Sequence, residues 1–125
     1  MALSISHQDT LPNSRTFTLE GRLDNETADE LNDVLARELP PQIKVLVFDL
    51  QPLTYISSMG LRSLFLAKKT MNAREGEVLF LHLQPAVKKV FDIVGAVDVM
   101  TVFAGMEELD AYLALMQRMV VEGES

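Results

Sequence analysis

The sequence contains no cysteine and only two histidines, His7 and His82. The absence of cysteine excludes disulfide bonds, thiolate metal sites and a cysteine nucleophile, and it is compatible with a reducing compartment. The sequence also has no Gly-x-Ser-x-Gly elbow, no Walker loop and no dinucleotide fingerprint. Neither histidine belongs to an acidic cluster spaced for a metal, and we interpret His82 as an ordinary histidine at a strand end. We therefore expect no catalytic residues, no enzymatic activity, no cofactor and no metal site.

Long apolar runs are absent as well. No run approaches the roughly 20 residues that a membrane span requires, and the first ten residues lack the basic and apolar regions of a secretory leader. We therefore expect a cytoplasmic protein without membrane insertion. The formal charge of −7 argues against nucleic acid or an anionic membrane as the main partner. It favours a protein partner with a basic patch.

The middle of the chain organises the rest. Residues 45–48 form an unbroken apolar run that ends at Asp49, which is typical of a strand buried on both faces. We interpret residues 51–55 as a loop, and from Ser58 the apolar residues recur with the period of a helix. One side of this helix carries Leu61, Leu64, Phe65 and Met71. The loop therefore delivers two hydroxyl groups, of Ser57 and Ser58, to a helix N-terminus, where either serine can act as an N-cap.

The N-terminal third predicts a hairpin and a helix. Apolar and polar residues alternate over residues 3–6 and 16–20, which indicates two half-exposed strands. A helix over residues 25–39 begins with a capping box of Thr27 and Glu30. Its apolar stripe consists of Ala28, Leu31, Leu35 and Leu39.

The remaining sequence continues with strands and helices in alternation. These elements are a strand over 78–81, a helix over 85–95, a strand over 99–103 and a helix over 106–120, before frayed residues 123–125. A strand followed by a helix, three times over, is the order of an α/β domain. The length of 125 residues suits a single domain over 1–125. We predict a mostly parallel sheet of four to five strands, with an antiparallel N-terminal edge and helices packed against it.

Three segments resemble, in the correct order, landmarks of the STAS domain family, to which bacterial anti-sigma factor antagonists belong. The first is the Gly-x-Leu-Asp turn that ends at Asp24, and the third is Pro-Ala-Val-Lys-Lys-Val-Phe-Asp-Ile-Val-Gly over residues 85–95. The second is a strand ending in aspartate, an apolar loop and a serine-containing turn into a helix. Its matching residues are Asp49, Leu50, Leu53, Tyr55, Ile56, Ser58, Gly60 and Leu61. The resemblance implies a STAS-like fold from Gly21 to the last helix.

The resemblance also implies a phosphorylation site. In the family, a partner kinase phosphorylates the serine that falls on Ser58, and Ser57 is the second choice. Two residues depart from the family pattern, because Ser57 replaces an acidic residue and Met59 replaces a small one. The family's turn aspartate lies near the phosphosite, which implies that Asp24 is a neighbour of Ser58. From the residues alone, Asp24 is first a cap of the helix that follows it.

The helix after Ser58 predicts a docking surface. A rotation of about 100° per residue turns Met59, Arg62, Leu66 and Lys69 away from the core. Exposed apolar residues are common on any surface, but two of them beside the candidate phosphosite favour a contact patch. The expected partner-binding residues are Asp24, Asn25, Ser57, Ser58, Met59, Gly60, Arg62 and Leu66.

The resemblance implies a non-catalytic switch in bacterial signal transduction and transcription regulation. The unphosphorylated protein would bind an anti-sigma factor that is also a serine-protein kinase, and phosphorylation at Ser58 would release it. A serine phosphatase would reverse the modification. One alternative is a constitutive STAS subunit of a lipid-transport ATP-binding cassette complex or of a larger signalling assembly. Another alternative is the sensing of a small ligand. The sequence carries no signal for an oligomeric state.

Overall fold

Six β-strands and three α-helices are seen in the computed structural model, which describes residues 3–11, 13–93, 101–103, 107, 111 and 114–115. In chain order the elements are β1 (Leu3–Leu11), β2 (Ser14–Leu23), α1 (Ala28–Glu38), β3 (Val45–Asp49), β4 (Leu53–Ile56), α2 (Ser58–Ala73), β5 (Glu77–Leu81), α3 (Pro85–Ile93) and β6 (Thr101–Phe103). No helix among these residues is long and apolar enough to cross a bilayer. The predicted helix over 106–120 lies largely outside the described residues, as do residues 94–100 and 123–125.

The strands form one mixed sheet in the order β1-β2-β3-β5-β6. β1 runs antiparallel to β2. The pairs β2–β3, β3–β5 and β5–β6 are all parallel. This arrangement confirms the predicted α/β domain with an antiparallel N-terminal edge. At the centre of the sheet, Leu46, Val47 and Phe48 are all fully buried, which confirms that β3 is covered on both faces.

The prediction of a loop over residues 51–55 is wrong in part, because Leu53–Ile56 forms a strand, β4, which pairs with β2 outside the order of the other five strands. β3 pairs with residues 14–18 of β2, whereas β4 pairs with residues 21–23. β2 is ten residues long, and the backbone groups of its second half need their own hydrogen-bonding partner. Only the two end residues of β4 are buried, so its sequence lacks the alternation that marks a strand.

Four phenylalanines extend across the sheet and onto α3. Phe17, Phe48 and Phe80 are register partners on neighbouring strands, with ring centroids 6.3 and 5.5 Å apart. Phe91 of α3 packs edge-on against Phe80 at 5.6 Å. Pairs of this geometry stabilise a core beyond the apolar area they bury. Strand and helix are thus joined through fully buried rings.

Two details of the helices differ from the prediction. The capping box is wrong: Thr27 makes no side-chain cap to α1, which begins at Ala28, although all four residues of the predicted apolar stripe are buried. On α2, Leu61, Leu64 and Met71 are buried as predicted, but Phe65 is 36% exposed. Leu61 lies at one edge of the buried stripe. Phe65 follows it by four residues and is therefore rotated about 40° further from the centre of the stripe, which brings it to the surface.

Candidate functional site

The carboxyl ends of β2 and β4 lie side by side, because the two strands are parallel neighbours. The turn that follows Leu23 and the loop that begins α2 therefore meet at one edge of the sheet. The backbone N–H of Ser57 donates a hydrogen bond to the carbonyl oxygen of Leu23 over 2.9 Å. This bond joins the Gly-x-Leu-Asp turn to the serine-containing turn, the first two of the three segments that resemble the STAS family.

Gly60 is buried in the first turn of α2, directly against Leu23. A Cβ atom at Gly60 would lie 2.6 Å from the Leu23 carbonyl oxygen and 2.7 Å from its Cγ, which is closer than carbon atoms tolerate. The glycine is required by lack of space. Its contribution to the site is to bring the start of α2 onto the β2 turn.

Ser57 is the N-cap of α2. Its Oγ accepts a hydrogen bond from the Gly60 N–H and donates one to Oδ1 of Asn25, both over 3.1 Å. This geometry confirms the N-cap interpretation for Ser57 and brings Asn25 into the site. The hydroxyl of the half-buried Ser57 thus donates one hydrogen bond and accepts another within the fold.

Ser58 is the first residue of α2 and is exposed. Within the described residues its hydroxyl makes no hydrogen bond. The first turn of a helix presents backbone N–H groups and the positive end of the helix dipole. A negative charge attached to Ser58 would therefore lie in a favourable field.

Asp24 organises the turn between β2 and α1. Its Oδ1 accepts hydrogen bonds from the backbone N–H groups of Glu26 at 3.0 Å and Thr27 at 3.1 Å. Asp24 thus caps the turn before α1, whereas α1 itself begins after Thr27 without a side-chain cap, so the predicted helix cap lies one turn earlier than expected. The Thr27 hydroxyl accepts from the Asp24 N–H and donates to the Arg22 carbonyl, each over 2.9 Å. Partial burial acts to raise the pKa of the Asp24 carboxyl, but the hydrogen bonds from Thr27 and Glu26 and the charge of Arg22 outweigh it, so the pKa is lowered.

Arg22 and Tyr55 form an exposed pair beside this turn that the sequence analysis missed. The two residues are register partners on β2 and β4, and the Arg22 guanidinium lies 4.1 Å from the centre of the Tyr55 ring. Arg22 Nε also lies 3.7 Å from Oδ2 of Asp24. The pairing of β2 with β4 was the missing signal, since it alone places the two side chains together.

The outer surface of α2 matches the prediction. Met59 is 43% and Leu66 is 45% exposed, and the Arg62 and Lys69 side chains also face solvent. The exposed Phe65 adds a third large apolar residue to the helix surface. Two apolar side chains and two cations thus line the predicted stripe, which begins one residue after Ser58.

Both histidines have acidic neighbours. His82 Nδ1 lies 3.3 Å from Oδ1 of Asp49 at the ends of β5 and β3, and His7 Nε2 lies 3.4 Å from Glu38 Oε2. In the part of the chain that the structure describes, neither histidine hydrogen bonds to Ser58. No group of three or more metal-ligating side chains occurs among the same residues.

Sequence comparison finds two similarities over most of the chain. The model of the STAS domain family matches residues 6–109. BtrV of Bordetella bronchiseptica, which is named as an anti-sigma factor antagonist, is 34% identical over 84 residues, or 67% of this chain and 72% of BtrV.

Solved structures show the same fold. The anti-sigma factor antagonist SpoIIAA matches in its unphosphorylated form with a TM-score of 0.65 and 14% identity, over 89% of this chain and 97% of SpoIIAA. Phosphorylated SpoIIAA from Bacillus matches with a TM-score of 0.68 and 16% identity, over 87% of this chain and 99% of SpoIIAA. A sulfate transporter family protein from Wolinella succinogenes matches with a TM-score of 0.76 and 17% identity, over 89% of this chain and 93% of the Wolinella protein.

The space around Gly60 predicts the effect of a single methyl group. We expect Gly60→Ala to lower the free energy of unfolding by about 1–3 kcal/mol, because the backbone of Leu23 must shift, although alanine is the better helix former. Urea denaturation followed by circular dichroism measures this change. Met59→Ala, an exposed change in the same turn, should stay within about 0.5 kcal/mol of wild type. A Gly60→Ala variant as stable as wild type would contradict the proposed contact.

The lowered pKa of Asp24 predicts a pH-dependent contribution to stability. A carboxyl whose pKa is lower when folded stabilises the fold above its ordinary pKa, and this contribution is lost as pH falls through the folded value. Asp24→Asn keeps an oxygen that can accept from Glu26 and Thr27 but removes the charge. We expect its melting temperature to fall below that of wild type at pH 7, with a gap that closes in strong acid.

The matched control is Asp29→Asn, which removes an exposed carboxylate that makes no side-chain hydrogen bond within the described residues. We expect the difference in melting temperature between Asp29→Asn and wild type to be small at every pH. A gap for Asp24→Asn that stayed constant from pH 7 into strong acid would show that the charge contributes nothing.

Proposed function

Because this chain belongs to the STAS domain family, we propose that it is an anti-sigma factor antagonist whose binding is switched by phosphorylation of Ser58. The unphosphorylated protein binds an anti-sigma factor that is also a serine kinase, and the phosphorylated protein does not. The observation that supports this proposal most directly is the state of the two serines. Ser57 is half-buried and doubly hydrogen-bonded, whereas Ser58 is exposed with no partner for its hydroxyl in the described structure.

This difference favours Ser58 as the modified residue. A kinase must reach the hydroxyl and leave room for a phosphate. Modification of Ser57 would break its bonds to Asn25 and Gly60 and remove the cap of α2, at a cost of about 0.5–2 kcal/mol. Modification of Ser58 breaks no hydrogen bond among the described residues. The same exposure would admit a serine phosphatase that resets the switch.

Phosphorylation changes the surface and leaves the fold intact. A phosphate adds about −1.5 to −2 charges beside the exposed Met59. The helix N-terminus accommodates this charge in contact with water, whereas a partner that covers Met59 and Leu66 would have to strip the phosphate of its water. SpoIIAA supports this scheme, since both of its phosphorylation states match the fold described here. The partner surface then comprises Asp24, Asn25, Met59, Arg62 and Leu66, arranged around Ser58.

A constitutive subunit role is the second candidate. The similarity to a sulfate transporter family protein indicates that this fold also occurs outside the antagonists. Ser57 occupies the place of the acidic residue that the family's phosphosites carry, and its hydrogen bond to Asn25 holds the loop without any modification. In this role Ser58 would remain unmodified, and the same surface would hold a permanent partner.

A comparative pull-down separates the two candidates. Tagged wild type, Ser58→Glu, Ser58→Ala and Ser6→Glu are used as baits in lysate of the source organism, and bound proteins are identified by mass spectrometry. We expect wild type and Ser58→Ala to recover an ATP-binding anti-sigma factor and Ser58→Glu to lose it, because Ser58→Glu adds charge at the interface. Ser6→Glu adds the same charge at an exposed serine of β1 and is the matched control, which should retain the partner.

Recovery of one ATPase or transporter subunit by all four baits would contradict the switch and favour the constitutive role. The wild-type bait incubated with the recovered kinase and ATP provides a second readout. Tandem mass spectrometry should place the phosphate on Ser58. A phosphate on Ser57, or none, would contradict the assignment.

A further inference from the structure

Opposite charges occupy the two helices beside the site. α1 carries four acidic side chains and one arginine, whereas α2 carries an arginine and two lysines and no acid. The basic helix is unexpected in a chain with a net charge of −7. The net charge favours a partner with a basic patch, but the surface next to Ser58 is itself basic and calls for acidic groups on the partner at that point.

A groove separates the two helices. They run in the same direction, because α1 connects β2 to the parallel strand β3 and α2 connects β4 to β5, which runs parallel to it. The segments that flank the two helices are joined by hydrogen bonds at both ends. At one end the Ser57 N–H binds the Leu23 carbonyl, and at the other Nη1 of Arg74 donates to the carbonyls of Leu39, Pro40 and Ile43 over 2.8–3.3 Å. Between these ends lies an open cavity of about 490 Å³, lined in part by Leu35, Ala36, Leu66, Ala67 and Lys69.

The walls of the groove are charged and their charges are unpaired. By helix rotation, Asp29 and Asp33 flank it on the outer side of α1, and Arg62 and Lys69 flank it on α2. All four side chains are exposed, and none takes part in an ion pair within the described residues. An occupant that pairs with both walls must carry positive charge on one side and negative charge on the other.

We propose that this groove binds an amphipathic helix of a partner protein. Its apolar stripe covers Leu66 and the groove floor, its basic side faces α1 and its acidic side faces α2. A helix laid in an apolar groove is a recurrent mode of recognition, and the length of α1 matches about three turns of such a helix. The inference rests on the proposed role as a partner-binding module. It adds the chemistry of the partner, and it places Ser58 at one mouth of the groove, beside Met59.

The test uses the full chain and synthetic peptides. The ¹⁵N-labelled protein is titrated with an 18-residue helical peptide that has a leucine stripe, glutamates along one side and lysines along the other. We expect amide shifts concentrated at Ala36, Leu66, Lys69 and Thr70. Versions with glutamate on both sides or lysine on both sides should bind more weakly, because each meets one wall of like charge.

Charge reversal supplies the matched comparison. Arg62→Glu with Lys69→Glu should weaken binding of the two-signed peptide about tenfold at low salt. Lys88→Glu with Lys89→Glu makes the same change of net charge on α3, away from the groove, and should leave the affinity within about twofold of wild type.

Amide shifts outside the groove, affinities indifferent to the peptide's charge pattern, or equal losses in the two double variants would overturn the inference. These outcomes are independent of the switch. If the pull-down shows that Ser58→Glu loses the partner but the peptide does not bind in the groove, the switch is supported and the groove proposal is overturned. If the peptide binds in the groove but Ser58→Glu retains the partner, the groove proposal is supported and the switch is contradicted.

Discussion

The contact of α2 with the backbone of Leu23 is the constraint on which the site depends. Gly60 leaves no room for a Cβ atom, and the Ser57 N–H is bonded to the Leu23 carbonyl. Together they place the start of α2 on the turn that Asp24 caps. Two loops that are more than 30 residues apart in sequence thus become one surface. Without this contact, Asn25 could not reach Ser57, and the groove between α1 and α2 would lose one of its fixed ends.

Stability and regulation are assigned to different residues at this surface. Ser57 and Asp24 satisfy the backbone N–H groups of the two turns, so the local fold needs nothing from Ser58. Ser58 is therefore free to change charge while the hydrogen bonds around it persist. A switch of this kind acts by electrostatics at an interface and requires no second conformation of the domain.

The sequence predicted what depends on local pattern. The apolar run of β3, the helical period of α2 and the position of Ser57 before it are readable from neighbouring residues. The strand β4 and the Arg22–Tyr55 pair were missed, because both depend on the register between β2 and a segment 32–33 residues later. Thr27 and Glu30 match a capping box, yet Asp24 captures the Thr27 N–H first. Helix spacing likewise placed Phe65 with Leu61, but small rotations decide which residues at a stripe's edge are buried.

The most direct test of the switch at Ser58 is a calorimetric titration of the purified cognate anti-sigma factor into two forms of the chain. One form is unmodified and the other carries phosphoserine, introduced during synthesis, at position 58. We expect similar melting temperatures for the two forms and an affinity roughly 100-fold lower for the phosphorylated one, because a partner that covers Ser58 must strip the phosphate of its water. Equal affinities would contradict a phosphorylation switch at Ser58 and leave Ser58 as an ordinary first residue of α2.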